Sequence, residues 1–377
     1  MILTAPCHFG LEAVLKREIT DLGYEIIKTE DGRVTFEGDE EAVCRANINL
    51  RTAERVLIIA GSFRAQTFDE LFEGTKAIRW SDYIPADGRF WVTKAASVKS
   101  KLYSPSDIQS VMKKAMVESM RESLHVNTFP ETGASFPVRV FIKNDEVTVG
   151  LDTTGDSLHK RGYRLLTAKA PLAENLAAAL IKLTPWKKDR ILVDPFCGSG
   201  TFVIEAALMA ANAAPGMNRN FTAENWTQLI PRKEWYACVD EARELVDTSQ
   251  MPDLQGYDID EDVIRVAREN AKRAGMDKYI HFQQRPVSEL SHPKKYGFII
   301  TNPPYGERLS DKDELKRIYG ELGERFRGLD DWSLYLLTGY EDALKDLKMK
   351  PQKNRKLYNG MLKTYFYSFP GQKPVRR

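Results

Sequence analysis

The 377-residue chain has only four cysteines, Cys7, Cys44, Cys197 and Cys238, with no CxxC pair, and five histidines with no HxxxH spacing. Neither a disulfide frame nor a Cys/His zinc site is indicated, and four reduced thiols are expected. No uncharged run approaches the roughly 18 residues that a membrane span requires. The opening MILTAPCHFG lacks a basic stretch followed by an apolar one, so a cytoplasmic location is expected. Internal repeats and low-complexity stretches are absent, and no charge predominates, since 55 Lys and Arg face 53 Asp and Glu for a net of +2. What remains, at 42% hydrophobic, 10% aromatic and 29% charged residues, is the composition of a soluble chain long enough for two or three cored domains.

The near-neutral total hides an asymmetry. Residues 345–377 carry ten Lys and Arg against the single acid Asp346, leaving the rest at 45 minus 52, or −7. Such a distribution suits a polyanionic partner, although on charge alone a solvated tail is the plainer reading.

From 190 onward short apolar runs alternate with helical periodicity. Residues 191–193, 254–257, 280–283, 298–301, 334–338, 356–358 and 364–369 read as strands, which predicts an α/β domain on a mostly parallel sheet. The helix over 260–274 has the strongest signal: Asp260 is its N-cap, Val263, Ile264, Ala267, Ala271 and Ala274 form one face, and Gly275 stops it. Before 165 the pattern is α+β. Helices are expected at 11–22, 67–76 and 106–124, among strands at 2–5, 24–28, 56–63, 90–96, 137–142 and 146–151. This suggests two small modules, 1–55 and 56–165, ahead of the α/β domain at 166–377. Within that domain the stretch 211–252, with Pro215, Gly216, Pro231 and Pro252, interrupts the alternation and reads as an insertion.

Three motifs follow predicted strands. Asp194-Pro-Phe-Cys-Gly-Ser-Gly-Thr201 leads from a strand into a helix, where glycines permit close ligand approach and free N–H groups suit an anionic moiety. It is not a P-loop and lacks the third glycine of a dinucleotide fingerprint, and taken alone it is equally a tight turn. Gly256-Tyr-Asp-Ile-Asp260 ends the next strand. Asp258 is placed to accept the two ribose hydroxyls of an adenosine moiety, whereas Asp260 is explained as the cap. Asn302-Pro-Pro-Tyr305 follows a third strand. Its prolines fix the backbone, leaving the Asn302 oxygen and the Pro303 carbonyl as acceptors beside the Tyr305 ring, a combination suited to a planar base with an exocyclic amine.

The ordered set DPFCGSGT, GYDID and NPPYGER resembles the class I S-adenosylmethionine-dependent methyltransferases that act on amines, whose fold is a Rossmann-like, seven-stranded sheet with its last strand antiparallel. The segments CHFGLEAVLKREI, RFWVTKAASVKSKLYSPSDIQ and LDTTGDSLHKRGYR resemble RNA methyltransferases with a THUMP domain behind a ferredoxin-like module. Taken whole, with APGMNRNF and LYNG at 357–360, the chain is similar to the guanine-N2 methyltransferase half of a bacterial large-subunit rRNA enzyme. It is similar as well to stand-alone Gram-positive relatives often labelled N6-adenine-specific DNA methylases.

The resemblance implies S-adenosylmethionine as cofactor and RNA as partner, large-subunit rRNA before tRNA, with no metal, membrane or obligate protein partner. It implies that Asp194, Gly198 and Gly200 line the methionine end of the cofactor and that Asp258 binds the ribose, with Pro195 and Ile259 counted among the cofactor-binding residues. Glu174 and Asn175 would flank the cofactor, and Asn302, Pro303, Pro304 and Tyr305 would bind the target amine. One departure stands out: where the family places an acidic residue against the adenine amine, this chain has Gln284-Arg285-Pro286. Cys197 reads as packing rather than as a nucleophile. Lys94, Lys99, Lys101, Lys113, Lys114, Lys160 and Arg161 are the expected phosphate contacts. Phe90, Trp91 and Tyr103 are candidates for stacking on unpaired bases or for the core. Three other readings stay open: adenine-N6 methylation of RNA or DNA, RNA binding without turnover, and a nicotinamide dehydrogenase, which the missing third glycine disfavours.

Overall fold

Period-two alternation of apolar residues builds two separate sheets in the computed structural model, which describes residues 1–164, 172–305 and 312–374. The chain divides into two units. The first comprises residues 1–7, 16–158 and 220–240, and the second comprises 8–15, 159–219 and 241–377.

The first sheet runs through β1 (Ile2–Pro6), β2 (Ile26–Glu30), β3 (Arg33–Glu37), β4 (Leu57–Arg64), β5 (Arg89–Val98), β6 (Ser135–Lys143) and β7 (Glu146–Asp152). Its helices are α1 (Glu12–Asp21), α2 (Glu40–Asn49), α3 (Phe68–Lys76) and α4 (Pro105–Leu124). The strand order is β2-β3-β1-β4-β7-β6-β5. Two features differ from expectation. β3 and α2 were not foreseen, and the strands of residues 1–55 and 56–165 share one sheet, because Leu3 and Thr4 of β1 pair with Ile58 and Leu57 of β4. On β5 alternation decides the aromatic question, since Phe90 is 1% exposed and Trp91 is 38% exposed.

Residues 220–240, the middle of the stretch read as an insertion, complete this same unit. Trp226, fully buried, stacks on Phe136 with centroids 4.8 Å apart, and its indole N–H donates to the Ser135 carbonyl at 2.9 Å. Phe221 stacks on Trp235, which opens out from α7 (Arg232–Glu244), and the Thr222 and Ala223 amides donate to Thr154 and Thr153.

The second sheet consists of β8 (Leu192–Asp194), β9 (Leu254–Asp258), β10 (Ile280–Gln284), β11 (Phe298–Thr301), β12 (Ser333–Thr338), β13 (Lys353–Asn359) and β14 (Leu362–Phe369). The order is β10-β9-β8-β11-β12-β14-β13, parallel except that β14 runs antiparallel to both neighbours. These are the seven strands of a class I methyltransferase fold, last strand reversed. Alternation divides the buried residues between two cores: Leu192, Phe298, Ile300, Tyr335 and Leu337 face one, and Ile191, Val193, Ile299, Leu334 and Leu336 the other. Helices cover both faces, as a mostly parallel sheet requires. They are α5 (Glu174–Leu183), α6 (Thr201–Ala210), α8 (Glu261–Arg273), α9 (Lys312–Arg327) and α10 (Ala343–Leu347). Asp260 caps α8 as expected, accepting from the Asp262 and Val263 amides. Among the described residues no helix is long and apolar enough to cross a membrane.

Candidate active site

β9, β8 and β11 are adjacent and parallel, so the three motifs emerge side by side from the carboxyl edge of the sheet, where open α/β folds bind ligands. Side chains then bond them together. The Thr301 hydroxyl, at the end of β11, donates to Asp194 Oδ1 at 2.6 Å, and the Phe196 amide donates to the same oxygen at 3.1 Å. The Gly198 amide donates to Asp258 Oδ2 at 3.0 Å, while Asp258 Oδ1 accepts from the Asp260 amide at 3.1 Å. Asn270 of α8 ties down the far side of the loop by donating to the Ser199 carbonyl at 3.0 Å.

Gly198 and Gly200 share one requirement for glycine, and Gly200 has a second. Both sit in the left-handed region, at φ +52° and +87°. A Cβ on Gly200 would lie 3.0 Å from the Phe282 ring, whereas above Gly198 the space is open. Pro195 is buried behind them, and Ile259 projects into solvent with 67% of its surface exposed.

Burial dominates the electrostatics. It pushes the Asp194 carboxyl up to about 7, against the opposing bonds from Thr301 and Phe196, and raises Asp258 as well. Cys197 lies buried within the loop, and burial, with Asp194 and Asp258 nearby, holds its thiol well above the usual range. A reactive thiolate is thereby disfavoured, and the side chain packs close to Gly256.

The Asn302–Tyr305 loop is braced from two sides. Tyr319 of α9 donates to the Pro304 carbonyl at 3.3 Å and shares a 2.5 Å bond with Thr338 at the end of β12. Asn359, at the end of β13, donates to the Tyr305 hydroxyl at 2.9 Å. Pro303 is buried and Pro304 exposed. Asn302 Oδ1 is buried and has no hydrogen-bond partner among the described residues. A buried acceptor left in that state is costly unless a ligand satisfies it.

Glu174 and Asn175 open α5, both buried. Glu174 Oε1 lies 3.4 Å from Arg164 Nε, and Arg164 donates to Thr201 Oγ1, the first residue of α6, at 2.6 Å. Glu174 therefore reaches the loop through Arg164, and burial raises its carboxyl to about 7. Asn175 Oδ1 accepts from the Leu176 amide. At the Gln284-Arg285-Pro286 corner, Gln284 donates to the Ile259 carbonyl at 3.0 Å, and the Arg285 amide donates to the Asp258 carbonyl at 2.8 Å. The Arg285 guanidinium lies 5.2 Å from the centre of the Tyr257 ring.

The expected phosphate contacts separate into three groups. Lys94, Lys99, Lys114 and Lys160 are exposed. Lys101 and Lys113 are engaged within the fold: Lys101 donates to Gln66 Oε1 at 2.9 Å, and Lys113 bonds the Phe90 carbonyl and pairs with Glu131 at 3.1 Å. Arg161 is a correction. It is buried 3.6 Å from Glu205, itself fully buried and bonded by the Tyr163 hydroxyl at 3.0 Å, so its guanidinium is an internal counter-ion and cannot reach a phosphate. Tyr103 is 82% exposed.

Sequence reasoning missed Arg164, Thr301, Tyr319 and Asn359. Thr301 and Asn359 were legible in part, one immediately before Asn302-Pro-Pro and the other inside LYNG. Arg164 closes the segment LDTTGDSLHKRGYR, and nothing local marks Tyr319.

Residues 161–367 match the family model described as "RMKL-like, methyltransferase domain", 2–57 the "RlmL ferredoxin-like domain", and 65–152 the THUMP domain. The "Putative RNA methyltransferase YpsC" of Bacillus subtilis (strain 168) is 46% identical over 371 residues, covering 98% of this chain and 95% of that protein. The "Ribosomal RNA large subunit methyltransferase K/L" of Syntrophotalea carbinolica is 36% identical over 377 residues, covering 96% of this chain. The match takes in 52% of that relative, so the chain spans about half its length. The solved structure of SMU.472, a putative methyltransferase complexed with SAH, superposes with a TM-score of 0.93 at 40% identity over 99% of each chain.

Proposed function

Because the chain belongs to the RMKL-like methyltransferase family, whose cofactor is S-adenosylmethionine, we propose that it methylates the exocyclic N2 amine of a guanosine in large-subunit ribosomal RNA, in the cytoplasm. The observation that carries this reading is the buried, unpartnered Oδ1 of Asn302, one residue past the Thr301–Asp194 bond. An acceptor so placed calls for an N–H donor, and an exocyclic amine supplies one.

The residues present fit the cofactor. A carboxylate at Asp258 lies beside the open space over Gly198, and the exposed Ile259 side chain offers an apolar surface to a planar ring. When bound, the cofactor supplies an electrophilic methyl group on a sulfonium sulfur. Asp258 would hold the ribose hydroxyls, Ile259 would face the adenine, and Asp194, Pro195, Gly198 and Gly200 would line the methionine end. Glu174 and Asn175 act behind them, Glu174 through Arg164 and Thr201.

The chain's own contribution is orientation. An exocyclic amine is a weak nucleophile because its lone pair is delocalised into the ring. Accepting one N–H at Asn302 Oδ1 favours the geometry in which the lone pair stands clear of that conjugation, and the bond strengthens as positive charge grows on nitrogen. Pro303 and Pro304 keep the loop rigid, and the Tyr305 ring, anchored by Asn359, offers the base a face. Pre-set orientation of this kind is worth about 7 to 11 kcal/mol. The exposed Lys94, Lys99, Lys114 and Lys160 hold phosphates without reading sequence. An RNA substrate accords with the names of the B. subtilis and S. carbinolica relatives.

Single-turnover methyl transfer to unmodified ribosomal RNA, with the product nucleoside identified, tests the proposal. N2-methylguanosine is expected, and Asn302→Ala should lower kcat by about 10² to 10³ with little change in cofactor affinity. A wild-type rate in that variant would overturn the role of Asn302. N6-methyladenosine would overturn the target, and RNA binding without transfer would overturn the enzymatic reading.

A further inference from the structure

The hairpin of β13 and β14 carries features that the chemistry above does not use. Its strands pair from Lys353 with Ser368 to Asn359 with Leu362, closing on Gly360, at φ +62°, and Met361. Residues 353–369 contain Lys353, Arg355, Lys356 and Lys363 and no Asp or Glu. At the closed end Met361 is 97% exposed, Leu362 53% and Tyr358 40%. One exposed apolar residue needs no explanation, but three clustered at a hairpin tip among cations indicate a contact surface. The tip also lies against the candidate site, because Asn359 donates to the Tyr305 hydroxyl at 2.9 Å.

Resting on the RNA methyltransferase reading above, we propose that this hairpin is a wedge for base-paired RNA: Met361 and Leu362 enter the stack where the target nucleotide leaves it, and Lys356 and Lys363 hold the adjoining phosphates. A paired base cannot bring its amine to Asn302 while it remains stacked, so the nucleotide must be extruded, and apolar wedges offset the lost stacking. The cations and the absence of acids give the surface the charge that a phosphate backbone requires. The Asn359–Tyr305 bond fixes the wedge relative to the ring that would receive the extruded base.

The test compares the wild type with the double substitution Met361→Ser, Leu362→Ser and with Met361→Leu. Two RNAs of one sequence around the target are used, one holding the guanosine in a stem and one unpaired. With the stem, the double variant should lose about tenfold or more in kcat/KM; with the unpaired strand it should stay within about twofold, and Met361→Leu should retain wild-type behaviour on both. A 2-aminopurine next to the target, read with S-adenosylhomocysteine present, reports unstacking without turnover. It should brighten with wild type and not with the double variant. Equal losses on both RNAs, no loss on either, or no brightening with wild type would overturn the wedge. Brightening by a wild type that transfers no methyl group would uphold the wedge and overturn the enzymatic reading.

Discussion

Replacing Asp258 by Ala removes an acceptor that two backbone donors already use, Gly198 N at 3.0 Å and Asp260 N at 3.1 Å. The first of these bonds fixes the loop between β8 and α6, so truncation has a structural cost as well as a ligand cost. A hydrogen bond to a charged group is worth about 1.5 to 3 kcal/mol, so loss of the ribose contact should weaken S-adenosylhomocysteine binding about ten- to hundredfold. The loosened loop adds to that figure and lowers the melting temperature. Calorimetry with a ligand lacking the ribose 2′-hydroxyl separates the two effects. In wild type the missing hydroxyl should cost about tenfold or more; in Asp258→Ala it should cost almost nothing, because its partner is already gone. Asp258→Asn provides a control, since its amide oxygen can still serve Gly198 while its NH₂ meets the Asp260 N–H donor to donor. Should the deoxy ligand lose as much affinity in Asp258→Ala as in wild type, Asp258 does not hold the ribose, whatever the total loss.

Burial holds Asp194 and Glu174 at about 7, so between roughly pH 4 and 7 the folded chain keeps protons that the unfolded chain has released. Stability from these groups must therefore fall as pH rises through that window, and the melting temperature of Asp194→Asn, Glu174→Gln should gain on wild type from pH 5 to 7. A gap that narrows with rising pH contradicts the assignment. In the first unit, Trp226→Ala leaves a cavity against Phe136 and an unpaired Ser135 carbonyl, and should cost about 3 to 5 kcal/mol in denaturant unfolding, with Trp226→Phe milder. A loss below about 1 kcal/mol would show that residues 220–240 are not needed to hold that unit together.

The second sheet was legible because its central strands are short apolar runs and its first α/β crossings carry explicit punctuation. Asp260 could be separated from Asp258 in the sequence because capping depends on neighbours two and three residues away, and the bonds to Asp262 and Val263 follow that rule. Long-range facts were not legible. Arg161 looks like any surface cation until Glu205 is found beside it, and Gly198, the loop partner of Asp258, belongs to the end of a different strand. β3 and α2 escaped notice because RVTFE begins and ends on a charged residue and α2 is polar at both ends. The joint sheet of the first unit depends on β1 pairing with β4, a register that no local pattern encodes.

The lending of Asn220–Asp240 to the first unit has a consequence for the order in which the molecule can be made. Synthesis runs from the amino terminus, so β1 to β7 are all present before Trp226 exists, with the Phe136 ring and the Ser135 carbonyl waiting for it. By the time Asp240 has been made, the Asp194–Thr201 loop has been made as well. The usual sequence, one domain finished before the next begins, is closed to this chain. A fragment cut at 164 would display an uncovered aromatic surface, and a nascent chain stalled between 164 and 220 is the stage at which that surface is open to a chaperone or to another nascent copy.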